Sequence, residues 1–329
     1  MLWLELDFVP ASAFATPVRG FTLFGHSCAL IARQDPGHLE TLLRGYTRGQ
    51  PFVVIGDPRP AGHVPRPTIP MHMFEQDRHV NSKAAKARRW TPVEVVEKPL
   101  ESWLAESRSD AELAAMHGLD DGWQIAQVHA SARIGPRSPI VRRDDELWFS
   151  EAVPLVIDVI VDETQCSVAF ILGLLRSIGR EGYGAGASRG RGKFEIGPPK
   201  SPAWTPDSSS PFLLALGHCI PEQVRGKAQL RNSYYRATVH HGRHGPSEKP
   251  VRGDADMVKA PVVLAQPGAV FCVAEVSARD VYGRGLGAQS RLSLREPRTV
   301  IQGYSPVIGV KFATGDDSLR KSMAAKEAA

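Results

Sequence analysis

Histidines cluster at one point of the chain, in the run HHGRHG that contains His240, His241 and His244. Imidazoles bind Zn²⁺ and act as general acids and bases, so such a cluster is a candidate for metal or acid–base chemistry. The spacing H-H-x-x-H on a loop, with no cysteine nearby, is weak support for a zinc site. We therefore interpret the run as an exposed turn, and the sequence predicts no metal and no other cofactor.

A separate histidine, His26, lies beside Gly25 near the start of a predicted helix. This imidazole would suit a general base that cleaves RNA, and an endoribonuclease is one alternative function. Asp57 and Asp77 are isolated carboxylates without partners that would complete a metal site. No residue is predicted to be catalytic in the interpretation that the sequence favours.

The stretch GREGYGAGASRGRGKFEI (179–196) contains fragments of three nucleotide-binding or catalytic motifs. GASRG matches a nucleophile elbow around Ser188, and GYGAGA matches a dinucleotide fingerprint, but both motifs follow a strand and open a helix. Here the predicted order is helix, loop, strand. A P-loop is excluded because Phe194 replaces its hydroxyl residue. The stretch is thus a glycine loop that approaches a nucleic-acid strand closely, with Arg189, Arg191 and Lys193 beside it.

Basic residues are concentrated in three segments, although the net charge of the whole chain is only +5. Guanidinium groups and exposed backbone N–H groups both suit phosphate oxygens, so three cationic loops favour a polyanionic partner. The alternatives are solvated surface loops, or arginines that match an acidic protein. Outside the glycine loop, the predicted RNA-binding cations are Lys83, Lys86, Arg88, Arg89, Arg133, Arg137, Arg142 and Arg143.

Composition predicts an ordinary globular protein, since 42% of the 329 residues are hydrophobic and 23% are charged. Glu5 and Asp7 stand where a signal peptide would carry positive charge, and the apolar run 168–175 is too short to span a bilayer. The four cysteines are far apart in sequence and form no C-x-x-C pair. We expect a cytoplasmic protein with no membrane partner.

The elements that position the glycine loop follow from periodicity and turn residues. A helix after Asp162 or Thr164, as N-cap candidates, ends at glycines 179 and 182, and a strand follows the loop. The sequence between the predicted helix 22–34 and residue 122 is turn-rich and polar. The order strand, helix, strand, strand, helix, strand is that of a ferredoxin-like α+β domain, with the other elements predicted at 2–9, 22–34, 123–133 and 146–161.

The domain organisation predicted from these elements has two folded parts. Residues 1–199 form the ferredoxin-like domain, and a long β-hairpin at 129–151 carries a cationic tip. Residues 200–210 are a Pro/Ser-rich linker, and 211–312 form a second, β-rich domain. The segment 313–329 has almost no bulky apolar residues, and we expect a flexible tail.

The motifs resemble those of the RAMP superfamily of CRISPR-Cas effector subunits. Within it they are similar to the Cas-five group, specifically the Csm subunit-four family of type III-A complexes. The glycine loop carries this resemblance, together with five segments in the same order: TPVRGFTLFGHSCALI (16–31), YTRGQPFVVIGDPRPAGHVPRPTIP (46–70), HASARIGPRSPIVRRDDELWFSE (129–151), and the C-terminal KAPVVLAQPGAVF and IQGYSPVIGVKF. The resemblance implies two ferredoxin-like domains, a thumb hairpin and a glycine-rich loop.

The resemblance also implies a non-catalytic scaffold in antiviral defence. Such a subunit binds the repeat-derived 5′ tag of the crRNA, joins the large Cas-ten subunit to the Csm subunit-three backbone, and meets target RNA only indirectly. A purely protein-binding subunit is the remaining alternative. The hairpin departs from the family pattern at Ala130, Ser131 and GPRSP. By position, the residues implied to line the tag are Gly182, Gly184, Ser188, Arg189 and Arg191, and those implied to lie near it are Phe24, Gly25 and His26. Gly186 and Lys193 of the glycine loop are also predicted to bind RNA.

Overall fold

The structure, a computed structural model, describes residues 1–74, 82–120, 122–134, 139–202, 210–222, 232–244, 258–273, 279–287 and 292–313. No helix within these ranges is long and apolar enough to cross a membrane. The elements up to residue 200 are β1 (Leu2–Pro10), α1 (Gly20–Gln34), α2 (Pro36–Leu43), β2 (Val53–Ile55), β3 (Arg59–Pro60), β4 (His63–Pro65), α3 (Ser82–Ala87), β5 (Arg88–Pro92), α4 (Trp103–Glu106), β6 (Arg108–Ser109), α5 (Asp110–Met116), β7 (Gln124–Ile134), β8 (Pro139–Phe149), β9 (Leu155–Val161), α6 (Val168–Glu181) and β10 (Phe194–Lys200).

The central sheet has the strand order β10–β1–β9–β2, with β3 paired to the far end of β9. Neighbouring strands are antiparallel. With α1 between β1 and β2, and α6 between β9 and β10, this is the ferredoxin-like arrangement. The predicted α+β fold is therefore confirmed for the N-terminal part of the chain.

Two strand assignments from the sequence are wrong. The second strand of the sheet is the short β2, whereas the predicted strand 123–133 corresponds to β7, outside this sheet. The predicted strand 146–161 is divided between β8 and β9. All residues of β2 and β9 are buried, so these strands lack the alternating pattern that identifies a half-exposed strand.

The hairpin of β7 and β8 forms a two-stranded sheet of its own, in register from Gln124↔Phe149 to Ile134↔Pro139. The predicted hairpin is confirmed; its first strand begins before the predicted residue 129, at Gln124, and its second strand ends at Phe149, before the predicted 151. Backbone hydrogen bonds of 2.9 Å in both directions join Phe14 to Leu147, so the base is tied to the connection between β1 and α1. The region before 122, predicted as turns, contains α2 to α5 and a small sheet, β4–β5–β6.

Helix α6 leads into the glycine loop. Its N-cap is Ser167, whose hydroxyl accepts from Phe170 N at 3.2 Å. The predicted caps are wrong, because the Asp162 carboxylate instead accepts hydrogen bonds from Thr164. Gly182, with φ +100°, ends the helix as predicted. Gly179 lies inside the helix, where a Cβ would come within 2.1 Å of Phe194 O, so it permits close packing of α6 on β10.

The C-terminal part contains β11 (Phe212–Ala215), β12 (Ala237–His240), β13 (Val262–Ala265), β14 (Val270–Cys272), β15 (Val281–Gly283) and β16 (Tyr304–Val310). One sheet has the order β14–β11–β16–β15, and β12 pairs with β13. The described residues of 211–312 contain no helix, so a ferredoxin-like topology here stays a prediction. The domain boundaries also stay predictions, and 314–329 lie outside the described residues.

Buried hydrogen bonds join the two parts of the chain. The amide of Gln302 donates to Ile55 O at 2.6 Å and accepts from Ile55 N at 3.0 Å. The Tyr304 hydroxyl donates to Tyr46 O at 2.6 Å. One apolar core includes residues of both β2 and β16. The C-terminal strands therefore pack directly on the ferredoxin-like domain.

A buried ion pair fixes β3 against the central sheet. Arg59, 1% exposed, donates to Asp158 of β9 at 2.9 Å and to Glu5 of β1 at 2.8 Å. Burial lowers the pKa of Arg59, but the two carboxylates outweigh it, so the pKa lies above its ordinary value. The Trp3 indole also donates to Asp158, at 3.0 Å. A charge this deeply buried requires such partners.

Candidate nucleic-acid interface

The glycine loop, which we define as residues 182–193, is an ordered structure with its own hydrogen bonds. Positive φ angles occur at Gly182, Gly184, Gly186, Gly190 and Gly192. Residues 187–189 form a 3₁₀ turn, and the amides of residues 189 and 191 both donate to the carbonyl of residue 186. Tyr183 N donates to Gly192 O at 2.8 Å and closes the loop. The left-handed conformations explain why glycine recurs here.

The loop is fixed to the connection between β1 and α1, residues 11–19. Gly192 N donates to Ala13 O at 2.8 Å, and Ala185 N donates to the Thr16 hydroxyl at 2.9 Å. Lys193 N donates to a serine hydroxyl of the same connection at 2.9 Å. Three backbone amides on one side of the loop are thus satisfied by the β1–α1 connection.

Tyr183 anchors the loop and was not identified from the sequence. Its side chain is fully buried, and its hydroxyl donates to Pro17 O at 2.9 Å and accepts from Arg19 N at 3.1 Å. Burial raises the pKa of Tyr183 well above its ordinary value, so the hydroxyl stays protonated as this geometry requires. It is the one aromatic residue among the glycines of the loop, and that contrast was the available signal.

His26 contacts the loop from α1. Gly184 N donates to Nε2 of His26 at 3.3 Å, and the imidazole lies 5.2 Å from the Tyr183 ring. An acceptor Nε2 carries no proton, so the ring is neutral here. Burial, followed by the charge of Lys259, lowers the pKa of His26 and favours that neutral form. The residue therefore supports the loop, because its Nε2 lone pair is already used.

Phe24 and Gly25, which precede His26 in the chain, were both predicted to contact RNA, and the structure places them differently. Phe24 is 0% exposed and stacks on Tyr46 at a centroid distance of 4.6 Å. Its predicted contact with RNA is wrong, because it lies in the core under α1. Gly25 is half-buried, and a Cβ there would have no atom within 4 Å. Its contact with RNA stays a prediction.

The outer side of the loop presents the polar groups that the sequence predicted. Ser188, Arg189 and Lys193 are exposed. Arg191 behaves differently, because it forms an ion pair with Glu146 of β8, and both side chains are 11% exposed. Arg191 thus joins the glycine loop to the base of the hairpin, which corrects its interpretation as an open phosphate ligand.

The other two basic segments lie on elements other than the glycine loop, on the hairpin β7–β8 and on α3 and β5. Arg133, Arg142 and Arg143 lie on β7 and β8 toward the hairpin tip. Their side chains, and the whole of Arg137, lie outside the described part of the structure, so their contacts stay predictions.

In the first basic segment, Lys83 and Lys86 are exposed on α3. The Arg88 guanidinium donates to the carbonyls of residues 104 and 105, at 3.0 and 3.2 Å. These bonds hold Arg88 against the fold, and its phosphate contact stays a prediction. Arg89 forms an exposed ion pair with Asp110 at 3.0 Å, so its charge is partly compensated.

The histidine run is less exposed than predicted. His240 packs on Phe21 at a centroid distance of 4.6 Å, and Nε2 of His244 lies 2.7 Å from the Ser293 hydroxyl. Asp57 has a partner that the sequence did not reveal: it bonds Nδ1 of His218 and accepts from Gly20 N at 2.8 Å. Asp77 lies outside the described residues. Within the described ranges, no group of three or more His, Cys, Asp or Glu side chains has metal-binding geometry.

Comparison of the sequence with protein families finds no matching family model, and no curated protein matches either. The structure, in contrast, matches a chain of the crystal structure of a Csm1–Csm4 cassette in complex with pppApA, with TM-score 0.57 and 13% identity over 95% of this chain and 99% of that one. A cassette in complex with AMPPNP matches with TM-score 0.55 and 14% identity over the same shares. A chain of a Csm3–Csm4 subcomplex aligns with TM-score 0.47 and 10% identity, over 94% and 99%.

These alignments define the class of the protein by its fold, the α+β architecture found in the Csm1–Csm4 cassettes over nearly the full length of both chains. At 13% and 14% identity these alignments show a shared fold. At 13% identity the role of the chain has to be argued from its own site.

Proposed function

We propose that this chain is a non-catalytic RNA-binding subunit of a type III CRISPR-Cas effector complex. Its glycine loop binds the 5′ repeat-derived tag of the crRNA, and the chain joins a large Cas-ten subunit to a Csm subunit-three backbone. It acts in the cytoplasm and contacts target RNA only through the complex.

The observation that supports this proposal best is the construction of the glycine loop. Its inner side is pinned to the β1–α1 connection and to His26, while Ser188, Arg189 and Lys193 remain exposed on the outer side. Rigid backbone next to exposed cations suits the phosphates of a single strand, because little conformational entropy is lost when the strand binds. The fold shared with chains of Csm1–Csm4 cassettes supports the choice of complex and of the large partner.

An endoribonuclease is less well supported by the same geometry. Nε2 of His26 accepts the Gly184 amide, so a general base at this nitrogen would have to break a bond that holds the loop. Asp57 is bonded to His218 and to the first amide of α1, and it lies in the fold at 8% exposure. The Asp57–His218 pair is largely buried, with side chains 11% and 10% exposed, so it is poorly placed to meet an RNA substrate.

The test is reconstitution of the chain with a Cas-ten subunit, a Csm subunit-three protein and crRNA, followed by filter binding of tag RNA at several salt concentrations. Replacing Arg189 and Lys193 with glutamine should lower affinity and flatten the slope of log K against log salt by about 0.7 for each lost phosphate contact. Lys98→Gln is the control, because Lys98 is a half-exposed lysine paired with Glu106. An unchanged slope in the double variant, with assembly intact, would contradict RNA binding at the loop and favour a purely protein-binding subunit.

A further inference from the structure

Two cations and a histidine lie beside α1, and the proposed function has not used them. Arg19 precedes α1, while His240 ends β12 and Lys259 precedes β13. We call these three residues the α1 basic site. They come from both parts of the chain, so no continuous sequence motif contains them.

Phe21 brings two members of the site together. The Arg19 guanidinium lies 5.8 Å from the centre of the Phe21 ring, and the His240 imidazole packs against the same ring at 4.6 Å. Lys259 completes the set through Gly242, where a Cβ would lie 3.2 Å from Cδ of Lys259 and 3.4 Å from Nε2 of His240. The aliphatic part of the Lys259 side chain and the His240 imidazole therefore both lie beside Gly242.

The charges of the site are not balanced by carboxylates. Within the described residues, none of the three side chains forms an ion pair, and each is half-buried. Burial, Arg19 and Lys259, in that order, lower the pKa of His240 to about 4. Asp57 is the nearby acid, and it is already committed to His218 and to Gly20 N.

The same groups keep contact with solvent. Arg19, His240 and Lys259 are each half-buried, so each side chain keeps part of its surface in contact with water. Long basic side chains bury their stems and direct their nitrogens to solvent, where the nitrogens can donate hydrogen bonds to a ligand. A mobile surface lysine would lack this support from packing.

The site adjoins the glycine loop through shared residues. Arg19 N donates to the Tyr183 hydroxyl, the anchor of the loop, at 3.1 Å. The Lys259 charge acts on His26, which in turn holds Gly184. A strand leaving the exposed side of the loop along α1 would thus meet the next cations at this site.

We propose that the α1 basic site binds a backbone phosphate of the same RNA strand that the glycine loop holds. The proposal rests on the proposed function for its ligand. Arginine and lysine contribute charge, and the imidazole contributes an additional donor when the phosphate compensates its proton. The contact is to phosphate and therefore independent of base sequence.

The first measurement uses the full chain and a fluorescent 12-nucleotide oligouridylate as the probe. One phosphate contact changes the salt slope by about 0.7, so between 50 and 200 mM salt the wild type should lose about 2.6-fold more affinity than Lys259→Met. Lys259→Arg should retain the wild-type slope. Lys98→Met is the matched control, and Arg189→Met reports on the glycine loop.

The second measurement does not require a substitution. Lys259 in the wild type is acylated with a water-soluble ester and quantified by mass spectrometry, with and without the oligouridylate. The RNA should protect Lys259 at least threefold and leave Lys98 unaffected.

The outcomes separate the two proposals. Weaker binding in Arg189→Met, with no change in Lys259→Met and no protection of Lys259, overturns the α1 basic site and leaves the proposed function standing. Protection of Lys259 with no effect of Arg189→Met shows RNA at the α1 basic site alone, and overturns both binding at the loop and a strand shared by the two sites. No effect in any arm overturns both, and an acidic protein segment then becomes the better partner for these cations.

Discussion

Gly184→Ala tests whether the glycine loop needs its observed shape. A Cβ at this position would lie 2.6 Å from Cβ and 2.7 Å from Oγ1 of Thr16, and the φ angle is +70°. Gly190→Ala is the matched control, because its φ is +83° and a Cβ there would have no atom within 4 Å. Both variants place a Cβ on a residue with positive φ, but only Gly184→Ala brings that Cβ into contact with Thr16.

The expected magnitudes follow from these two terms. A left-handed conformation costs a residue with a Cβ about 1–2 kcal/mol, which is the whole effect expected for Gly190→Ala. Overpacking costs a further amount of about 1–3 kcal/mol. The two costs together should lower the free energy of unfolding of Gly184→Ala by about 3 kcal/mol. Displacement of Thr16 also disturbs the bond from Ala185 N to its hydroxyl. We therefore expect the loop to move as well as to lose stability.

Urea unfolding of the isolated chain and filter binding of 5′ tag RNA measure the two effects. Gly184→Ala should lose more affinity than Gly190→Ala at a temperature where both are folded. Equal destabilisation of the two variants would show that Thr16 yields at no cost, and the rigid-loop argument would fail. Normal RNA affinity in a clearly destabilised Gly184→Ala would show that binding does not depend on the shape of the loop.

Three further expectations concern contacts around the loop. Arg191→Gln and Glu146→Gln should each destabilise the chain by about 1–3 kcal/mol, and a double-mutant cycle by urea unfolding should show coupling, because each change leaves a charge largely buried. Since the pKa of His240 is lowered from 6.5 to about 4, stability should fall as pH decreases through this range, and His240→Gln should remove about 1 kcal/mol of that dependence after screening; an equal pH dependence in the variant would contradict the assignment. His26→Ala should leave RNA cleavage by the reconstituted complex within a few fold of wild type, whereas a loss of about 10² with assembly intact would identify a general base.

Much of the ferredoxin-like domain was predictable because its signals are local. The loop follows α6 and precedes β10 as expected, and positive φ angles occur at the glycines. The hairpin was predictable from two long strands around prolines. The strand β2 was missed because a short, fully buried strand in a glycine- and proline-rich region has no periodicity to detect.

The site was predictable only in part, since its decisive contacts join residues that are distant in sequence. Arg191 meets Glu146 across the hairpin base, and Asp57 meets His218 across 161 positions. The sequence gives the charge of each residue, but it does not show that Arg191 and Asp57 are each paired in the fold. The resemblance implied that Phe24 lies near the tag, although its side chain is fully buried.

The contacts that sequence reasoning missed strengthen the case for a positioning role. Phe14 is bonded to Leu147 of the hairpin and packs on the Tyr183 ring at 6.1 Å, and Arg191 adds an ion pair to the same hairpin. The β1–α1 connection, the glycine loop and the hairpin base therefore form one body. A strand bound on the exposed side of the loop would have its direction relative to the hairpin fixed by that body. Rigid positioning of this kind requires satisfied backbone amides and paired charges. His26 is occupied by the Gly184 amide, and Arg191 is paired with Glu146. A general base would need the His26 lone pair to be free, and a phosphate ligand would need the Arg191 charge to be unpaired.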